Sequence, residues 1–315
     1  MPKSRFGRAA TAALAASGIA SATVNHPGAD AIVIETPHPD VIVRWAANAT
    51  AVAIGPNHIV TTRHQGGGPG SPILLGDDIY RVAEDFQHPT ADLRVCRIET
   101  YGSTPADLEH WVDIWEGGGE AGREFVIGGW GLERGGEQRN GLGELIGYGW
   151  GDGNKQLRWG TNVVEGFSLP EPGSPSDARI IQADFDRPGQ GTVKEATVAD
   201  GDSGGGWFIN DNGVWKLAGL TSSVQYGQRS VFGEFMNGVR IASFADFIAP
   251  FLTAPPCSAA DVAEPFGVLS RTDIETFAPL WYLKDPSIAA LAAPSDIVSQ
   301  ADIQAFLDAY YAGCQ

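Results

Sequence analysis

The chain has 315 residues and sets 38 acidic side chains against 21 basic ones, for a formal charge of −17 with only five lysines. That balance excludes a duplex nucleic-acid partner, which requires a basic face, and suits an exported, soluble protein. With 41 glycines, 20 prolines and few long apolar helical patterns, the composition favours many short strands and turns, and the length allows a two-barrel domain and a small extra module.

Residues 1–22 read as a secretory signal peptide. Lys3, Arg5 and Arg8 make a positive start, Ala9 to Ala20 is a run of small apolar residues, and Ala20-Ser21-Ala22 is an A-x-A cleavage site. The run is too short to span a bilayer, and no other stretch qualifies. Export implies a secreted, cell-surface or periplasmic location in which disulfides form. Ala51 to Ile54 and Ile59 to Thr62 read as strands. His64 lies just past the second, before a Gly-rich loop, where an imidazole can act as general base. Arg81 to Ala83 is another strand. Asp92 then opens an alternating run, placed to hold an imidazole in one tautomer, and Cys96 within that run reads as buried and inert. His58, His88 and His110 are rival bases, and Asp85 and Asp113 rival carboxylates.

Strands are also predicted at Phe125 to Ile127, Ile180 to Ala183 and Trp215 to Leu220. Between the last two lies Gly201-Asp202-Ser203-Gly204-Gly205. Its glycines let the backbone bend sharply. Ser203 stands at the apex, and the amides of Gly201 and Ser203 can converge on a developing oxyanion, as a serine nucleophile requires. Ile241 to Phe251 reads as a helix.

These segments resemble the trypsin/chymotrypsin-like serine peptidase family. Thr61-Thr62-Arg63-His64 is similar to the family's Thr-Ala-Ala-His. Ala91-Asp92-Leu93 is similar to its Asp-Ile-Ala strand, Ile127-Gly128-Gly129-Trp130-Gly131 to its Ser-Gly-Trp-Gly segment, and Gly201 to Gly205 to its nucleophile loop. The order His, Asp, Ser along the chain is also the family's. The resemblance covers roughly residues 32 to 250. It implies a mostly β fold of two six-stranded antiparallel β-barrels over residues 23–252. It further implies His64, Asp92 and Ser203 as catalytic triad and the amides of Gly201 and Ser203 as oxyanion hole. Thr197, six residues before Ser203, matches the pocket floor, and Thr221-Ser222-Ser223-Val224 the substrate-binding strand, with Ser222 and Val224 lining the pocket. The uncharged Thr197 and bulky Val224 lead to an expected preference for a small or medium apolar residue before the scissile bond. Asp202 is expected to pair with a cation. In many family members this is a newly freed N-terminus at Ile-Val-Gly-Gly, but Ala31-Ile32-Val33-Ile34-Glu35 lacks the glycines and follows Asp30. Arg63 stands where the family has a small residue, and Asp202 is a candidate partner for it.

The Pro-rich stretch near residues 253–257 reads as a linker into a module over 253–315. Here Asp261 to Ile274 aligns with Ala290 to Ile303. Ser270 and Ser299 are predicted N-caps, with Asp273 and Asp302 in the third helical position. Cys257 and Cys314 bracket the module, and pairing them would close a loop around it. Two loop–helix copies ending in Gly313-Cys314 resemble a dockerin/EF-hand-like module. The resemblance implies Ca2+ on Asp261 and Asp273 and a cohesin-like or envelope partner. Against that pattern, Ala263 and Pro265 occupy ligand positions and each loop is one residue longer. Calcium takes six to eight oxygens, so a metal-free two-helix cap is an equal reading.

The expected function is a secreted serine endopeptidase that hydrolyses protein or peptide substrates through an acyl-enzyme, with no cofactor required for catalysis. The alternatives are a catalytically inactive protease-like binding module of the cell envelope, an adhesion or envelope-structural protein, and an esterase using the same acyl chemistry.

Overall fold

The computed structural model describes residues 23–46, 49–151, 156–168, 180–225, 227–252, 258–263, 269, 271–292 and 297–313. The expected signal peptide, Ser270, Cys257 and Cys314, and with them the expected disulfide, lie outside the described residues.

The chain begins with a two-residue strand, β1 (Val24–Asn25). Six strands follow: β2 (Ile42–Trp45), β3 (Ala49–Ala53), β4 (His58–Thr61), β5 (Pro72–Leu75), β6 (Asp78–Gln87) and β7 (Arg94–Thr100). They close a barrel in the order β2-β3-β4-β7-β6-β5. Period-two alternation sorts its side chains between two cores. Ala51, Ala53, Ile59, Cys96 and Ile98 fall in one buried cluster. Their neighbours Val52, Val60 and Val95 fall in another, shared with Phe208, Leu217 and Val239 of the second half. Strands β3 and β4 are therefore buried on both faces, and the barrel presses one wall against the rest of the molecule.

The second half comprises β8 (Asp113–Ile114), β9 (Glu124–Gly129), β10 (Arg134–Arg139), β11 (Leu145–Trp150), β12 (Arg158–Val163), β13 (Gly166–Ser168), β14 (Ile180–Asp184), β15 (Ala196–Thr197), β16 (Gly206–Asp211), β17 (Val214–Val224), β18 (Arg229–Val231) and β19 (Phe235–Arg240). A second closed six-stranded barrel is not found among the described residues. They make an eight-stranded sheet in the order β12-β9-β16-β17-β19-β14-β13, with β8 alongside β17, a separate three-stranded sheet β10-β11-β18, and the pair β1-β15. Part of the reason is that β8 pairs parallel to β17 and β10 and β11 form their own ribbon, so the strands are divided among more partners than a six-strand ring has. Stacked Phe125 and Trp207, 4.5 Å apart at 7°, centre the core of this half.

The segment read as one helix, Ile241 to Phe251, is a 3-10 turn, then α1 (Ala245–Ile248), then a second 3-10 turn. The C-terminal part holds α2 (Arg271–Leu283), α3 (Pro286–Ala289) and α4 (Gln300–Ala312). The repeat is visible as near-symmetry, because the equivalent rings Phe277 and Phe306 stack at 4.1 Å in a small core of their own. Ser299 and Asp302 form the expected capping box on α4. No helix among the described residues is long and apolar enough to cross a membrane.

Candidate active site

His64 sits in the 3-10 turn Arg63–Gln65 that ends β4, and Asp92 lies two residues before β7, the strand paired with β4. Adjacent ladder strands thus bring the two segments together. Two arginines tie them. Arg63 Nη1 donates to the carbonyls of His88 (3.0 Å) and Pro89 (3.4 Å). Buried Arg94 donates to the carbonyls of Gly66 and Gly67, just past His64. The suggested Arg63–Asp202 pair is therefore corrected: the guanidinium turns to the Asp92 loop, where carbonyls are within reach.

The nucleophile loop crosses from the second half. Gly201 and Gly204 have φ of +95° and +78°, a region that favours glycine. Thr50 of β3 clamps the loop from the barrel side. Its N–H donates to Ser203 O (2.9 Å) and its hydroxyl to Gly201 O (3.0 Å). With both carbonyls held, the N–H groups of Gly201 and Ser203 keep no hydrogen-bond acceptor among the described residues, the condition an oxyanion hole needs.

The three predicted residues meet here. His64 Nδ1 is 2.6 Å from Asp92 Oδ2, and His64 Nε2 is 3.1 Å from Ser203 Oγ. A carboxylate only accepts, so Nδ1 carries the proton and Nε2 of the neutral ring accepts from the Ser203 hydroxyl. Asp92 also accepts from the His64 backbone N–H at 2.8 Å and from Ser222 Oγ at 3.0 Å. Partial burial pushes the Asp92 carboxyl up, but the hydrogen bonds and electrostatic pull of His64, with the Ser222 hydroxyl, outweigh it and hold the group below its usual value. The imidazole side chain remains 43% exposed, so a substrate can reach it. Such an array can deprotonate a hydroxyl as it attacks a carbonyl and then protonate the leaving group.

The rival bases are occupied elsewhere. His58 is buried and held neutral, its pKa lowered to about 4 by burial and by Arg97. His88 Nδ1 accepts from the amides of Thr90 and Ala91. His110 stacks on His38. Cys96 is buried and free, its thiol pushed up by burial and by Asp85.

Two of the predicted pocket residues have other contacts. Ser222 turns to Asp92. The β17–β19 register slips between Thr221 and Ser223, and a bulge re-aims a side chain. Val224 is half-buried and packs against the core of the second half. Thr197 is buried on β15, opposite Val24.

Asp202 is fully buried, and its carboxylate accepts from Gly131 N (2.8 Å) and Ala199 N (2.9 Å). A Cβ on Gly129 or Gly131 would collide with this carboxylate. The two Gly-rich segments therefore interlock, which sequence inspection misses because the contact spans 71 positions. Burial raises the pKa of Asp202 from 3.8 to about 7 despite the two amides and the charge of Arg158.

In the C-terminal part, Asp273 Oδ1 accepts from the amides of Val262 and Ala263 (2.8 and 2.9 Å). Asp302 accepts from the equivalent loop amide of Ala292 on Oδ1 and from the N-cap amide of Ser299 on Oδ2. These buried carboxylates cap their own loops. Among the described residues no group of three His, Cys, Asp or Glu side chains forms around Asp261 and Asp273, so the EF-hand-like reading finds no support there.

No family model matches the chain, and no curated protein does. Among solved structures the chain is similar to "neuropsin, a serine protease expressed in the limbic system of mouse brain", at 17% identity and a TM-score of 0.47, covering 69% of this chain and 97% of that one.

Proposed function

We propose that the chain is a secreted serine endopeptidase in which Ser203 attacks a peptide carbonyl, His64 shuttles the proton, Asp92 orients the imidazole, and the amides of Gly201 and Ser203 hold the oxyanion. The observation that carries this reading is the continuous chain Ser222–Asp92–His64–Ser203, with every link at 2.6–3.1 Å. A binding module that never cut would have no use for a solvent-reachable imidazole aligned on both partners. The test is hydrolysis of casein and of a peptide panel varied at the residue before the cut. Cleavage after small or medium apolar residues is expected. Rapid cleavage after Arg or Lys would overturn the specificity, and no cleavage of casein or any peptide would overturn the reading.

Processing belongs to the same proposal. The chain's first described residues pair with β15, the strand that leads towards the nucleophile loop. Thr23 is fully buried, and Val24 pairs with Thr197 on β15, whose chain runs through Ala199 to Asp202. Thr23 also stands over Gly160, where a Cβ would lie 3.2 Å from its hydroxyl. Arg158, on the same face of β12, contributes to the field at Asp202. In this reading, signal-peptide removal after Ala22 frees the amine of Thr23 near this strand, and that amine adds a second positive charge to the field of Arg158 at Asp202. The sign follows from the raised pKa. Without that amine the folded state favours the protonated carboxyl, so Asp202 contributes stability below pH 3.8 that is lost as pH rises towards about 7. A chain starting at Thr23 is expected to be about tenfold or more active than one carrying two extra N-terminal residues, by analogy with the loss of a single charge-assisted contact. The extended chain is expected to lose stability between pH 4 and 7 while the trimmed chain does not. Equal activity and parallel pH–stability curves would contradict this.

A further inference from the structure

One group of chemistry-bearing side chains stands outside the hydrolytic site. His38 and Asp40 flank the start of the 3-10 turn Pro39–Val41 that leads into β2. His110 lies in the segment leaving the barrel after β7. One ligand atom from each of the three lies within 4.8 Å of the others. The His38 and His110 rings are face to face, with centroids 3.5 Å apart and planes at 24°. His38 Nδ1 accepts a long bond from the Asp40 amide (3.3 Å) and lies 3.6 Å from Asp40 Oδ2. Among the described residues His110 makes no hydrogen bond, so its nitrogens have no protein partner there.

We propose that His38, Asp40 and His110 form a binding site for a divalent transition metal of the zinc type, independent of the hydrolase reading. Two imidazoles and a carboxylate are a donor set that zinc takes when a fourth position is left to water. Imidazole nitrogen selects against calcium and magnesium, which take oxygen. Tetrahedral bonds of about 2.0–2.2 Å place donor atoms roughly 3.3–3.6 Å apart. Coordination therefore turns the two rings out of their stack and draws the donors inward from their present spacing. The His38 and Asp40 side chains are nearly half exposed and have room to turn. The backbone beneath is fixed: Val41 and Val112, close neighbours of the ligands, are buried in one cluster, and Val112 N donates to Ala53 O at 3.1 Å. Asp107 and Glu109, just before His110, and the net charge of −17 favour a cation at this face. The metal would staple the lead-in of the barrel's first strand to the segment that leaves its last, closing the barrel against fraying.

The test uses the full chain, stripped with chelator, dialysed and titrated with ZnCl2 by calorimetry and thermal unfolding. One Zn2+ per chain is expected, with a rise in Tm that CaCl2 and MgCl2 do not produce. His110→Ala and Asp40→Ala are each expected to weaken zinc at least tenfold, while their zinc-free Tm stays within about 2 °C of the parent, as for partly exposed positions. His64→Ala is expected to leave zinc affinity unchanged. Should His110→Ala fail to fold, Asp40→Asn, which keeps the side-chain shape, carries the same comparison. Absence of one-to-one binding, or binding that survives His110→Ala and Asp40→Asn, or binding lost in His64→Ala, overturns the proposal.

Discussion

Replacing Ser203 by Ala is expected to abolish hydrolysis, lowering kcat by about 10⁴- to 10⁶-fold while leaving the fold intact. The geometry dictates the size of the effect. Ser203 Oγ is the hydroxyl 3.1 Å from His64 Nε2, and no other acyl acceptor is poised on that nitrogen among the described residues. The backbone of Ser203 keeps its work in the variant, since Thr50 N donates to its carbonyl and its own N–H stays free for the oxyanion. Substrate binding should therefore survive, and the loss should appear in kcat rather than KM. Steady-state kinetics on the best peptide of the panel make the measurement, with Tm as the control for folding. Residual activity within tenfold of the parent would mean that another residue carries the reaction.

Gly204→Ala is expected to damage both the fold and the site through a single methyl. Its backbone has φ of +78°, which costs an L residue about 1–2 kcal/mol. The new Cβ would also strike the Thr50 carbonyl oxygen, the Thr61 hydroxyl and the Gln65 amide, the last at 2.6 Å. The Thr50 carbonyl is backbone of β3 and cannot swing away. It already accepts from Thr61 Oγ1 at 2.7 Å, and Thr50 holds the nucleophile loop. Strain and collision together should cost about 3 kcal/mol or more, or roughly 6–12 °C in Tm for a domain of this size. The same shift would carry Ser203 away from His64, so kcat should fall by at least about 10²-fold, as for a small misplacement of a reacting group. Gly213→Ala separates the two causes. That glycine has φ of +94° but nothing within 4 Å of its Cβ position, so only the conformational term applies, about 1–2 kcal/mol. Similar Tm losses for both variants would show that the cradle around Gly204 gives way easily.

The residues of the candidate site were legible because their chemistry is local. Gly201 to Gly205 displays its backbone demands in five letters, His64 follows a recognisable apolar run and Asp92 precedes one. What joined them was not legible. Thr50 clamps the loop across 151 positions through a hydroxyl that reads in sequence as one more β-prone threonine. Ser222 reads as a pocket residue through the family resemblance of its strand, and a one-residue bulge turns it onto Asp92. Several strands of the first barrel were legible in the sequence, but its closure was expected only from the family resemblance. The arrangement of the second half was not legible, because the choice between closing a ring and forming separate ribbons rests on pairings such as β8 with β17 that no local pattern records. The C-terminal carboxylates show the same limit. Asp273 has the spacing of a calcium ligand, yet its oxygen serves two amides of its own loop.

The central claim is that Ser203 is a nucleophile activated by His64. It is tested most directly by treating the purified chain that begins at Thr23 with a fluorophosphonate and mapping the adduct by mass spectrometry. A single stoichiometric adduct on Ser203 is expected, absent from Ser203→Ala and slowed by orders of magnitude in His64→Ala. An unlabelled Ser203 in protein whose circular dichroism shows it folded, or an adduct on another residue, would contradict the account.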